Sequence, residues 1–88
     1  MAWAIELSAS ARKQLKKFDH AEAKQITDYL RRRVEPLDNP RDLGKALTGQ
    51  LGNLWRYRFG DYRIVCELHD ETLVVLVVRI GHRKDVYR

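Results

Sequence analysis

Residues 54–68, LWRYRFGDYRIVCEL, constrain the fold more than any other stretch of the chain. Trp55, Tyr57 and Phe59 alternate with Arg56 and Arg58. Successive side chains of a strand point to opposite faces, so the aromatics share one face and the arginines the other. Gly60-Asp61 suits a two-residue type II′ turn, which takes glycine at its first central position. That turn pairs Phe59 with Tyr62, Arg58 with Arg63 and Tyr57 with Ile64. Arg58 and Arg63 then stand side by side, with Cβ atoms roughly 5 Å apart, and like charges directly opposite destabilise a sheet. Two readings account for them: a solvated face on which arginine stems shield apolar surface, or a site prepared for an anion.

At 88 residues the chain is expected to form one domain, residues 1–88, with a small core. A hydrophobic content of 44% with 33% charged residues is that of a globular protein, not a disordered one. Seventeen Lys and Arg against twelve Asp and Glu leave a net charge of +5, which favours nucleic acid, an acidic membrane surface or an acidic protein. The single cysteine, Cys66, excludes an internal disulfide and falls on the aromatic side of the hairpin, where a buried, inert thiol is expected. No Cys/His cluster has metal-ligand spacing, so neither metal nor cofactor is expected. The start, MAWAIELSASARKQ, lacks a signal-peptide apolar core, and the apolar run Leu73 to Val78 is too short to span a bilayer. A soluble, cytoplasmic protein without a membrane partner is expected.

Residues 2–7, AWAIEL, alternate and read as a short strand with Trp3, Ile5 and Leu7 on one face. Ser8 is a good N-cap for a helix to about Lys17, with the apolar stripe Ala11, Leu15 and Phe18. Asp19 opens a second helix in capping-box spacing with Glu22, and its stripe is Ala23, Ile26, Leu30 and Val34. Arg31, Arg32 and Arg33 suit the C-terminal end of a helix dipole. Pro36 and Pro40 end that helix. Residues 41–53 read as an irregular connection with room for one helical turn. After the hairpin, a turn at His69-Asp70-Glu71 leads to a strand from Thr72 to about Ile80, where LVVLVVRI has no alternation. Residues 81–88, GHRKDVYR, read as a tail. The expected fold is α+β: an N-terminal strand and a helical hairpin packed on an antiparallel sheet with a three-strand C-terminal meander.

The tail brings His82, Arg83, Lys84 and Tyr87 towards the end of the hairpin face that holds Arg56, Arg58 and Arg63. The planar fork of arginine binds phosphate bidentately. Histidine transfers protons near neutrality, and tyrosine stacks on bases or hydrogen-bonds phosphate. Such a set suits phosphodiester cleavage without a metal. Against this, a lone histidine in a polar tail is ordinarily solvated, and a terminal tyrosine ordinarily packs back on the body.

The segments LWRYRFGDYRIVCEL and VVRIGHRKDVYR, in a strand-helix-helix-meander frame, resemble the RelE family of bacterial type II toxins within the RelE/ParE superfamily. The resemblance covers essentially the whole chain and is most specific in YRIV and GHRKDVY. It implies a RelE-like fold and a ribosome-dependent, metal-independent endoribonuclease. Such an enzyme cuts messenger RNA in the ribosomal A site through the ribose 2′-hydroxyl. It also implies a cognate acidic, RelB-like antitoxin in a hetero-oligomer. By the same resemblance Arg63, His82, Arg83 and Tyr87 are the candidate catalytic residues. Arg56, Arg58, Lys45 and Lys84 are the candidate phosphate-binding residues. Arg56 and Arg58 stand where studied members often carry lysine. They can neutralise phosphate but cannot serve as a base, which turns attention to His82 for proton transfer. The alternative is a ParE-like toxin that inhibits DNA gyrase by binding, without nuclease activity.

Overall fold

The structure, a computed structural model, describes residues 3–47 and 54–82. Its element order is β1 (Ala4–Leu7), α1 (Ala9–Lys17), α2 (His20–Tyr29), β2 (Lys45–Ala46), β3 (Leu54–Phe59), β4 (Tyr62–His69) and β5 (Val74–His82). The strands form one five-stranded sheet in the order β1-β5-β4-β3-β2. β1 runs parallel to β5, and the other neighbours are antiparallel. The expected meander is β3-β4-β5. The parallel pairing of β1 follows from the two helices, which carry the chain back to the end of the sheet where β1 began.

Both helices begin as their caps dictate. The Ser8 hydroxyl accepts from the Ala11 N–H at 3.1 Å. Glu22 uses its two carboxylate oxygens for different tasks. Oε1 accepts from the Asp19 N–H at 3.2 Å, and Oε2 accepts from the Tyr62 hydroxyl. One side chain thus caps α2 and ties it to the start of β4. The second helix continues through a π-helical turn, Leu30–Val34, closed by the Glu35 N–H on the Leu30 carbonyl at 2.9 Å. The wider turn keeps Leu30 and Val34 inside while Arg31, Arg32 and Arg33 stay exposed.

The helices cover one face of the sheet. Ala11, Ile26, Leu30 and Val34 meet Tyr57, Ile64, Cys66, Leu68, Val75, Val77 and Ile80 there, with Trp3 and Tyr62 at the margins. Burying each larger apolar side chain contributes about 1.5–3 kcal/mol. Among the described residues the opposite face of the sheet carries no helix.

Two boundaries differ from those read in the sequence. The 41–53 connection has the single helical turn expected of it, the 3-10 turn Pro40–Asp42, and adds the edge strand β2. β5 starts at Val74 because residues 70–73 form the turn, with Leu73 at φ +56°. It runs on through Gly81 and His82, which the sequence assigned to the tail. Among the described residues no helix is long and apolar enough to cross a membrane.

Candidate nucleic-acid interface

The β3–β4 hairpin has the register that its turn demands: Phe59↔Tyr62, Arg58↔Arg63, Tyr57↔Ile64 and Arg56↔Val65. Gly60 supplies the positive φ, +57°, that the turn needs. Tyr57 is fully buried under the helices, whereas Arg58 is exposed and Arg56 and Arg63 are half-buried on the open face.

The segment before β3 is fastened from beneath. The Tyr57 hydroxyl donates to the Pro40 carbonyl at 2.7 Å, and Trp55 Nε1 donates to the Leu43 carbonyl at 2.7 Å. Burial raises the Tyr57 phenol well above its ordinary value, so it stays a donor. Gly44, at φ +77°, lies so close to β3 that a Cβ would sit 2.8 Å from Tyr57 Cδ1 and 2.9 Å from Trp55 Nε1. A glycine is required there, and it lets the chain enter β2. Lys45 then pairs with Arg56.

β5 decides the rest of the face. Val65 pairs with Arg79, but Cys66 pairs with Val77, so Val78 is an extra residue in a β-bulge. Val75 and Val77 face the helices before it, and Ile80 does so after it. Beyond Leu7, β1 no longer covers the edge of β5, and α1 takes over. The Ser8 N–H donates to the Val77 carbonyl at 2.9 Å, and Gln14 Oε1 accepts from the Ile80 N–H at 2.6 Å. Gln14 thus satisfies an amide on the edge of β5 that β1 does not reach.

The bulge exchanges two residues between faces. In an unbroken strand His82 would join the arginines and Arg79 would point under the helices. Instead Arg79 is exposed on the open face, and His82, opposite Tyr62, lies on the helix side. Its ring meets the Tyr62 ring edge-on, with centroids 5.1 Å apart at 85°. The expectation that His82 stands with the arginines is therefore corrected. Arg79 is the residue that sequence reasoning missed. The available signal was an arginine inside an otherwise apolar strand, which has to reach the open face.

The basic end of that face consists of two rows across the sheet. One is Arg58–Arg63–Gly81, and the other is Lys45–Arg56–Val65–Arg79. Leu47, Arg56, Arg63, Val65, Arg79 and Gly81 line a shallow depression of about 220 Å³. Among the described residues no carboxylate forms an ion pair with Lys45, Arg56, Arg58 or Arg79. The next row, Leu54–Glu67–Leu76–Glu6, is apolar and acidic. This arrangement can bind a polyanion along one direction and neutralise charge that develops on it. It does not rely on Cys66, whose thiol burial pushes up to about 12. Arg83, Lys84 and Tyr87 lie outside the described residues.

A family model described as the ParE toxin of the type II toxin-antitoxin system parDE matches residues 5–87. The chain belongs to the ParE toxin family. It is a type II toxin of the RelE/ParE superfamily, related to RelE toxins. Toxin RelE of Mycobacterium tuberculosis is 31% identical over 85 residues, which cover 96% of this chain and 84% of that protein. Toxin RelG of the same organism is 37% identical over 49 residues, so this chain spans only 56% of its length. The toxin in the RelBE2 toxin–antitoxin complex of M. tuberculosis superposes with a TM-score of 0.83 at 23% identity, covering 94% of this chain and 100% of that one. A variant of the E. coli RelE toxin in the free state gives 0.75 at 27% identity, covering 99% and 92%. Two helices on a five-stranded sheet are the fold of these toxins.

Proposed function

We propose that this toxin is a ribosome-dependent endoribonuclease that cuts messenger RNA in the ribosomal A site and so stops translation. The observation that carries the reading is the cross-strand pair Arg58↔Arg63, set beside Lys45, Arg56 and Arg79 on a face that no helix covers among the described residues. Five cations gathered on one face suit a polyanion. The kinship with toxins named RelE supports RNA as that anion.

In this mechanism the ribose 2′-hydroxyl attacks the adjacent phosphorus. Its proton passes to a base, and the 5′-oxygen of the next nucleotide leaves and takes up a proton. The products are a 2′,3′-cyclic phosphate and a free 5′-hydroxyl. The non-bridging phosphoryl oxygens gain negative charge on the way. Arg63, with Arg58 beside it and Arg83 from the following segment, neutralises that charge with forked donors. The positive charge is supplied by the chain, so the step needs no metal. Arginine keeps its proton. Within the two basic rows, among the described residues, Lys45 is the side chain able to exchange one. Lys45 therefore replaces His82 as the proposed proton carrier, with Lys84 as a second amine and Tyr87 orienting the substrate. A net charge of +5 suits an acidic, RelB-like antitoxin that silences the toxin in a hetero-oligomer, as RelB accompanies RelE in the M. jannaschii complex.

The test is single-turnover cleavage of messenger RNA on programmed ribosomes. The parent protein is expected to cut at codon-defined positions. Arg63→Gln is expected to cut about 10²–10³-fold more slowly while remaining folded, the usual loss for one transition-state donor. Uncut messenger RNA together with gyrase-dependent DNA breaks would overturn this reading.

A further inference from the structure

The open face holds more positive charge than one scissile phosphate requires. The surplus sits in a separate row. Arg56 and Arg79 flank Val65 from the two neighbouring strands. Adjacent strands are roughly 4.8 Å apart, so the backbones of Arg56 and Arg79 stand about 10 Å from each other. Two long arms at that separation converge over a small side chain, and both forks reach a phosphate placed above Val65. The row lies two residues along the strands from Arg58–Arg63, a step of roughly 6.6 Å. That step is close to the spacing of consecutive phosphates on an extended single strand. Gly81, next to Arg63, has no side chain to block the floor between the rows, and Leu47 and Val65 supply an apolar base for a sugar. On the far side, Glu67 and Glu6 end the basic track.

We propose that Arg56 and Arg79 form a second phosphate site, which grips the backbone phosphate flanking the one held by Arg58 and Arg63. The site takes single-stranded RNA, because a duplex keeps its phosphates on the outside of a rod too broad to sit in this depression. The inference rests on the RNA-cutting reading above and deepens it. The Val78 bulge is what creates the site, since it brings Arg79 out from under the helices, and Gln14 holds that bulge through the Ile80 amide. Arg79 is a binding residue for the flanking phosphate and takes no part in bond making.

The test uses the full chain on programmed ribosomes, with messenger RNAs that carry a neutral methylphosphonate at the phosphate on one or the other side of the cut. With the parent protein, neutralising one of those two phosphates is expected to raise the half-saturating toxin concentration about tenfold, the worth of one charge-assisted hydrogen bond. Arg79→Gln is expected to give the same rise on ordinary RNA and no further rise on the neutral RNA. Arg79→Lys, which keeps the charge, is expected to recover most of the affinity. The loss should fall on the half-saturating concentration and not on the rate at saturation. Equal sensitivity of parent and Arg79→Gln to the neutral linkage, or insensitivity of the parent at both positions, would overturn the second site. Absence of any cut by the parent would instead overturn the nuclease reading on which it rests.

Discussion

On the helix-covered face of the sheet Tyr57, Ile64 and Cys66 are fully buried, while Arg56, Arg63 and Val65, their neighbours in sequence, remain half exposed on the other. The covered face is settled by transfer from water and by polar satisfaction. Among the described residues every buried side-chain polar atom there has a partner, the Tyr57 hydroxyl on the Pro40 carbonyl being the deepest. The open face is built against its own stability, with arginines set opposite each other. Where one face is closed by packing and the other gathers like charges, the second is the place to look for a ligand.

Four substitutions break or sharpen that contrast. Ile64→Ala removes a fully buried side chain from the covered face and should cost about 2–5 kcal/mol, read as a lower urea midpoint at unchanged slope. Its neighbour Arg63 should be nearly silent in the same measurement when changed to Gln, although cleavage collapses. Tyr57→Phe keeps the ring but strands the Pro40 carbonyl, at about 1–3 kcal/mol. Because the ring anchors the segment leading into β2, the loss should be accompanied by faster amide exchange around residues 40–46. Arg58→Thr should have the opposite sign. Relief of the cross-strand repulsion with Arg63 should stabilise the fold by about 0.2–1 kcal/mol at low ionic strength, with the gain shrinking as salt is added. A destabilised Arg58→Thr protein would mean that the open face contributes to the fold and that the contrast between faces is false.

The hairpin was legible because strict alternation, a glycine turn and the count of residues on each side all specify the same register. The caps were legible because Ser8, Asp19 and Glu22 sit at fixed distances from apolar stripes. β2 was not legible, since a two-residue strand carries no pattern, and its position depends on Gly44 lying against β3 and on long-range bonds from Trp55 and Tyr57. β5 was legible as a strand but not in its facing. Val74 to Val78 is apolar at every position, so nothing in the sequence marks the point where the alternation slips by one. That single uncertainty misplaced His82 and hid Arg79, and thereby the second basic row.

The bulge also makes β5 unlike its neighbour in how it tolerates a change of length. Val78 is the residue in excess. A chain that lost it would run from Val77 to Arg79 in plain alternation, with Arg79 still outward and Ile80 still inward. In β4, loss of one residue between Tyr62 and Glu67 would turn over every side chain that follows, sending Glu67 beneath the helices. Insertions and deletions among relatives should therefore gather at this point of the sheet. An alignment that ignores it would equate residues that face opposite ways.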